Sequence, residues 1–84
     1  MANLKKSFQK ATEEVKSLDE RPSDETMLKL YALYKQATAG DVSGARPGLF
    51  DLVGRAKYDA WAEEKGKTEE QAMQAYIDLV ESLK

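Results

Sequence analysis

The sequence predicts an all-α protein of four helices. Three observations carry this. Apolar residues recur at steps of three and four in four separate segments. Each segment is bounded by residues that start or stop helices. No segment alternates apolar and polar as a half-exposed strand would. With 84 residues and no internal repeat, the chain is expected to form one small domain, residues 1–84.

The first helix is predicted from about Asn3 or Ser7 to Leu18. Leu4, Phe8, Ala11, Val15 and Leu18 make one apolar stripe along it. Arg21 and Pro22 then open a turn, because the proline ring restricts the residue before it to extended backbone. Ser23 or Asp24 caps the second helix, and Glu25 suits the positive end of its dipole. This helix is expected to reach Thr38 or Ala39, with Gly40 as its stop. Met27, Leu30, Tyr34 and Ala37 line one stripe; Leu28, Tyr31 and Lys35 line the neighbouring one. A loop follows over Asp41–Gly48, marked by Arg46-Pro47-Gly48. The third helix is predicted over Leu52–Lys65, ended by Gly66. The fourth starts at Thr68, where Thr68 and Gln71 have the spacing of a capping box. Its apolar face is Ala72, Tyr76, Leu79, Val80 and Leu83.

Composition removes whole classes of chemistry. The chain has no cysteine and no histidine, so thiolate chemistry, a hydrolytic triad and a typical zinc site are not expected. Net charge is −2 with 33% charged residues, unlike the basic footprint of a nucleic-acid-binding domain. No apolar run is long enough to span a bilayer, and the N-terminal MANLKKSFQK lacks the apolar core of a signal peptide. The expectation is a soluble, cytoplasmic, monomeric protein with no nucleic-acid partner and no stable membrane insertion. It is not expected to be an enzyme, and it needs no cofactor.

The run Tyr31 to Asp41, YALYKQATAGD, carries the candidate binding residues. At helical spacing Tyr31, Tyr34 and Lys35 lie on adjoining parts of one surface. Two phenols and an ammonium can cradle an aromatic anion such as a nucleotide. They can equally be half-buried rings beside a solvated lysine. Trp61 reads as a core anchor. Lys16, Lys35, Arg55 and Lys57 can hold phosphates if packing brings them together. The adjacent pairs Glu13-Glu14 and Glu63-Glu64 read as solvated faces. Neither GxxxxGK[ST] nor GxGxxG occurs, so a nucleotide-like ligand must be held by side chains across helices.

Four motifs then stand in order: Tyr31-x-x-Tyr34-Lys35-Gln36-Ala37-Thr38-x-Gly40-Asp41, Arg46-Pro47-Gly48, Lys57-Tyr58-Asp59-Ala60-Trp61 and Ala75-Tyr76-Ile77. With the opening FQKATEEVK from Phe8 to Lys16, this pattern resembles the acyl-CoA-binding protein family over nearly the whole chain. The resemblance implies a skewed up-and-down four-helix bundle and non-catalytic binding of medium- to long-chain fatty acyl-CoA esters. It places Tyr31, Lys35, Lys57 and Tyr76 on the CoA head group and Tyr34 beside the adenine. It puts Ala11, Lys16, Met27 and Leu28 along the groove or at its edge. Two departures are visible. Val53 and Arg21 stand where the best-known members carry lysine, and the loss of a cation at Val53 implies a weaker hold on phosphate. The sequence stops at Lys84, where fraying is expected. The alternative of another class is a helical interaction module, with the aromatic and basic face receiving a partner helix.

Overall fold

The computed structural model describes residues 3–84, and among them are four α-helices and no strand. They are α1 (Leu4–Glu14), α2 (Asp24–Ala39), α3 (Leu52–Glu63) and α4 (Glu69–Leu83). A short 3-10 turn, Val15–Ser17, follows α1. No described helix is long and apolar enough to cross a membrane.

The helix starts are set by side chains that satisfy orphan backbone N–H groups. Lys6 N donates to Asn3 Oδ1 at 3.1 Å, and Thr26 N donates to Ser23 Oγ at 3.2 Å. At α4 the capping box is complete: Gln71 N donates to Thr68 Oγ1 and Thr68 N to Gln71 Oε1. The cap of α3 is Asp51, which accepts from Gly54 N at 2.9 Å. A Cβ at position 54 would collide with that carboxylate, so the cap and the glycine require each other. Gly40 ends α2 with φ 82°, a conformation that costs a side-chain-bearing residue free energy.

Two helices are shorter than their apolar pattern predicts. The first was expected to reach Leu18, but α-geometry stops at Glu14 and tightens into the 3-10 turn. No glycine is available to close the helix there, and a tightened last turn is a common substitute. The third was expected to reach Lys65 and ends at Glu63. There the chain turns toward Gly66, at φ 96°.

α2 and α4 form the centre. α2 packs on α3 and on α4, and α4 packs on α1. The main core joins Phe8 and Ala11 of α1, Leu30, Leu33 and Ala37 of α2, and Ala72, Met73, Tyr76 and Val80 of α4. α3 contributes no residue to this core. Its one buried apolar side chain is Trp61, whose Nε1 donates to Gly40 O at 2.8 Å. Polar links hold the rest of α3: Arg46 makes a two-pronged bond to Asp59 at 2.9 and 2.6 Å, and Tyr58 Oη donates to Gly44 O.

The pair Glu63-Glu64 is not two solvated carboxylates. Glu64 is 2% exposed and accepts from Lys29 Nζ and Lys67 Nζ, each at 2.6 Å. It thereby ties the end of α3 to α2 and to the segment that opens α4. Burial pushes its carboxyl up, but the two ammonium groups outweigh burial and hold it below the usual value. Lys84 closes the end of α4 against α1. Its Nζ lies 2.9 Å from both Glu14 and Glu81.

Candidate functional site

The body measures 43 × 29 × 15 Å. A slab so thin cannot enclose a large ligand, which must lie in a groove. An apolar groove runs between α2 and α3 and has a volume of about 640 Å³. Met27, Leu28 and Tyr31 line it from α2, and Leu52, Val53, Ala56 and Lys57 from α3; Arg21 and Asp24 stand at one end. It exists because the ties between these helices, Trp61 and Glu64, sit toward the C-terminal end of α3. Toward the N-terminal end the facing residues are small or exposed.

Two cation–ring pairs bridge α2 and α3, one in the groove wall and the other one helical turn further along α2. Lys57 Nζ stands 5.3 Å from the centroid of the Tyr31 ring, and Lys35 Nζ stands 4.9 Å from that of Trp61. Each is a cation–π contact between α2 and α3, worth about 0.5–1 kcal/mol at a part-exposed site. Such contacts hold two ammonium groups in place without neutralising them. Neither Lys35 nor Lys57 makes an ion pair among the described residues.

The surface expected from Tyr31, Tyr34 and Lys35 is divided in two. Tyr31 and Lys35 face α3. Tyr34 faces α1, where its ring stacks on Phe8 at 5.8 Å. Phe8 in turn meets the edge of Tyr76 at 5.1 Å. A smaller hollow of about 240 Å³ lies there, lined by Lys5, Phe8, Gln9, Thr12, Tyr34, Thr38 and Met73. The residues share a ridge, but α2 presents its two flanks to different neighbours.

Tyr76 is 5% exposed and belongs to the core. Burial and the nearby Tyr34 raise its phenol above the ordinary value. Its hydroxyl makes no hydrogen bond to any described residue. Met27 and Leu28 line the α2/α3 groove. Ala11 instead sits in the core and lines neither hollow. Lys16 is exposed on the 3-10 turn and also lines neither. Arg55 is half-buried, and its Nε has no partner among the described residues.

Sequence reasoning did not single out Phe8, Leu52 or Ala56 as site residues. Phe8 had a signal, since it lies on the apolar stripe of α1 one turn before Ala11. Leu52 and Ala56 had none, because their place depends on how α3 leans on α2. Trp61 was expected only as an anchor. It is one, and its outer face also supports Lys35.

The architecture defines a class: a small four-helix protein with an open apolar groove between α2 and α3, one cation–ring pair in its wall and a second one helical turn away. The model of the acyl-CoA-binding protein family matches residues 5–80, and the chain belongs to that family. It is 54% identical over 80 residues to the acyl-CoA-binding protein homolog of Drosophila melanogaster, covering 95% of this chain and 93% of that one. It is 49% identical over 80 residues to the acyl-CoA-binding protein of Brassica napus, covering 95% and 87%. The crystal structure of acyl-CoA-binding protein 2 from Oryza sativa superimposes with a TM-score of 0.92 at 46% identity, covering 96% of this chain and 90% of that one.

Proposed function

We propose that this protein binds medium- to long-chain fatty acyl-CoA esters without transforming them, serving intracellular pool maintenance, transport and protection. One observation carries the reading: an apolar groove includes Lys57, seated on the Tyr31 ring, in its wall, and one helical turn further along α2 a second ammonium, Lys35, is seated on Trp61. That order of surfaces suits a ligand with an alkyl chain at one end and phosphates and a base at the other. In this reading the acyl chain lies along Met27, Leu28, Leu52 and Ala56. Lys35, Lys57 and Tyr31 hold the head group from the α3 side, Tyr34 borders the base, and the Tyr76 hydroxyl donates to the head group. Chemistry on the ester is not part of the role, because no histidine or cysteine is present to act as base or nucleophile.

Native mass spectrometry of freshly purified protein tests the proposal. A mass increment matching an acyl-CoA ester is expected. Recovery of a stoichiometric polypeptide in its place would favour the interaction-module reading.

Lys35 gives a second test. Lys35→Ala is expected to weaken ester binding by about 1.5–3 kcal/mol, the net worth of a hydrogen bond to a charged group. Because Lys35 rests on Trp61, melting should also fall, but only by the roughly 0.5–1 kcal/mol of an exposed cation–π contact. Calorimetric titration and a thermal melt together read both numbers. A large loss of stability with normal ester binding would make Lys35 structural.

A further inference from the structure

The α2/α3 groove has two unlike ends. Tyr31 meets Lys57, and one turn further along each helix Lys35 meets Trp61. The two contacts follow in the same order on both helices, so α2 and α3 run in the same direction. From Tyr31 the α2 wall passes back through Leu28 and Met27 to Asp24, the first residue of the helix. The α3 wall passes back from Lys57 to Val53 and Leu52. The stretch from Tyr31 to Asp24 spans about 10 Å at 1.5 Å per residue. Past it the lining changes character, because Arg21 and Asp24 close the groove with an ion pair at 3.4 Å.

The pair is not a steric wall. Its two side chains are 74% and 89% exposed, so both charges keep their water. An alkyl chain laid across them would strip that water, and an exposed ion pair returns little of the cost. On the walls made by Met27, Leu28 and Ala56 each methylene gains by leaving water. On the ion pair it gains nothing.

We propose that Arg21 and Asp24 are specificity residues that set the acyl-chain length this protein prefers. Affinity rises with each methylene until the tail reaches the pair, and levels off beyond it. The inference rests on the reading of the groove as an acyl-CoA site and gives that site its length limit. The limit acts on affinity and not on entry: a longer tail runs past the exposed pair into water, where its further methylenes add nothing. Neither residue touches the head group in this reading, since Lys57 and Lys35 stand toward the other end of α2.

Calorimetric titration with a saturated series from octanoyl- to docosanoyl-CoA tests this, on the native chain and on the double variant Arg21→Leu, Asp24→Leu. The change removes one charge of each sign, so net charge stays the same. Ser23 still caps α2 and Glu25 stays in its first turn, and circular dichroism checks that the helix is kept. In the native chain affinity is expected to rise roughly fourfold for every two methylenes, half the fully buried value, and then to level. In the variant the apolar wall runs on to position 21, so levelling should come at a longer ester. Docosanoyl-CoA should then bind roughly tenfold more tightly than it does to the native chain, with octanoyl-CoA and free CoA unchanged. A rise in the native chain that continues unbroken to docosanoyl-CoA overturns the proposal, and so does a variant that levels at the native length. Both results leave the acyl-CoA reading standing. Esters of every length binding no more tightly than free CoA overturn that reading, and the length limit with it.

Discussion

A saturated ester of about sixteen carbons should bind roughly a thousandfold more tightly than free CoA. Each CH₂ taken from water is worth about 0.8 kcal/mol when fully buried. The α2/α3 groove is open on one side, so it covers only part of the chain. Halving the full value leaves on the order of 6 kcal/mol, from which ordering of the ligand and of groove side chains such as Met27 takes about a third, on the scale of about 0.5–1.5 kcal/mol per immobilised group. About 4 kcal/mol remains, and each 1.4 kcal/mol is roughly tenfold. Calorimetric titration with esters of increasing length measures the slope directly. Leu28→Asp places a carboxylate on the groove wall and should flatten that slope while leaving free CoA almost unaffected. Equal affinity for CoA and the long ester in the native protein would sink the reading, because the groove would then contribute nothing.

The helices were legible in the sequence to the extent that their signals are local. Ser23, Gly40 and the Thr68–Gln71 box act within one turn of themselves, and the ends of α2 and the start of α4 fall where those residues put them. The end of α1 has no such local signal, and the apolar stripe runs on past the true stop at Glu14. Much of the candidate site follows the same division. Met27 and Leu28 are on the groove because the face of α2 is set by its own period. The seats of Lys57 on Tyr31 and of Lys35 on Trp61 come from the packing of α3 on α2, which spacing along one helix does not encode. The same holds for Tyr34, which turns to Phe8 because α1 occupies that flank. Ala11 shows why a stripe alone does not decide: a small residue on an apolar stripe fits a groove or a core equally well, and this one packs in the core. The largest omission is Glu64, since nothing beside it in the chain reveals that Lys29 meets it from 35 residues away.

Glu64→Gln should destabilise the protein by about 2–3 kcal/mol at neutral pH. A buried carboxylate with two charge-assisted hydrogen bonds would be worth about 1.5–3 kcal/mol for each. Both lysines keep water access, at 50% and 39% side-chain exposure, so the sum is discounted. The amide keeps the size of the side chain but loses the charge. For a domain of this length the expected drop in Tm is on the order of 10–20 °C. The pH dependence separates this from simple misfit. The Glu64 carboxyl is held below its ordinary value of 4.5 in the folded state. A depressed carboxylate stabilises the fold above the unfolded value and loses that contribution as pH falls through the folded one. The gap between native and variant Tm should therefore be full at pH 7, begin to shrink below about pH 4.5 and narrow as acid protonates the native carboxyl. A gap of constant size down to pH 3 would show that the amide merely fits badly. The tether also has a functional consequence, because Glu64 and Trp61 are what fix α3 against α2. In the folded variant at low temperature, ester binding should weaken while free-CoA binding changes less, since Lys35 keeps its seat on Trp61 while the apolar wall of α3 loses its anchor.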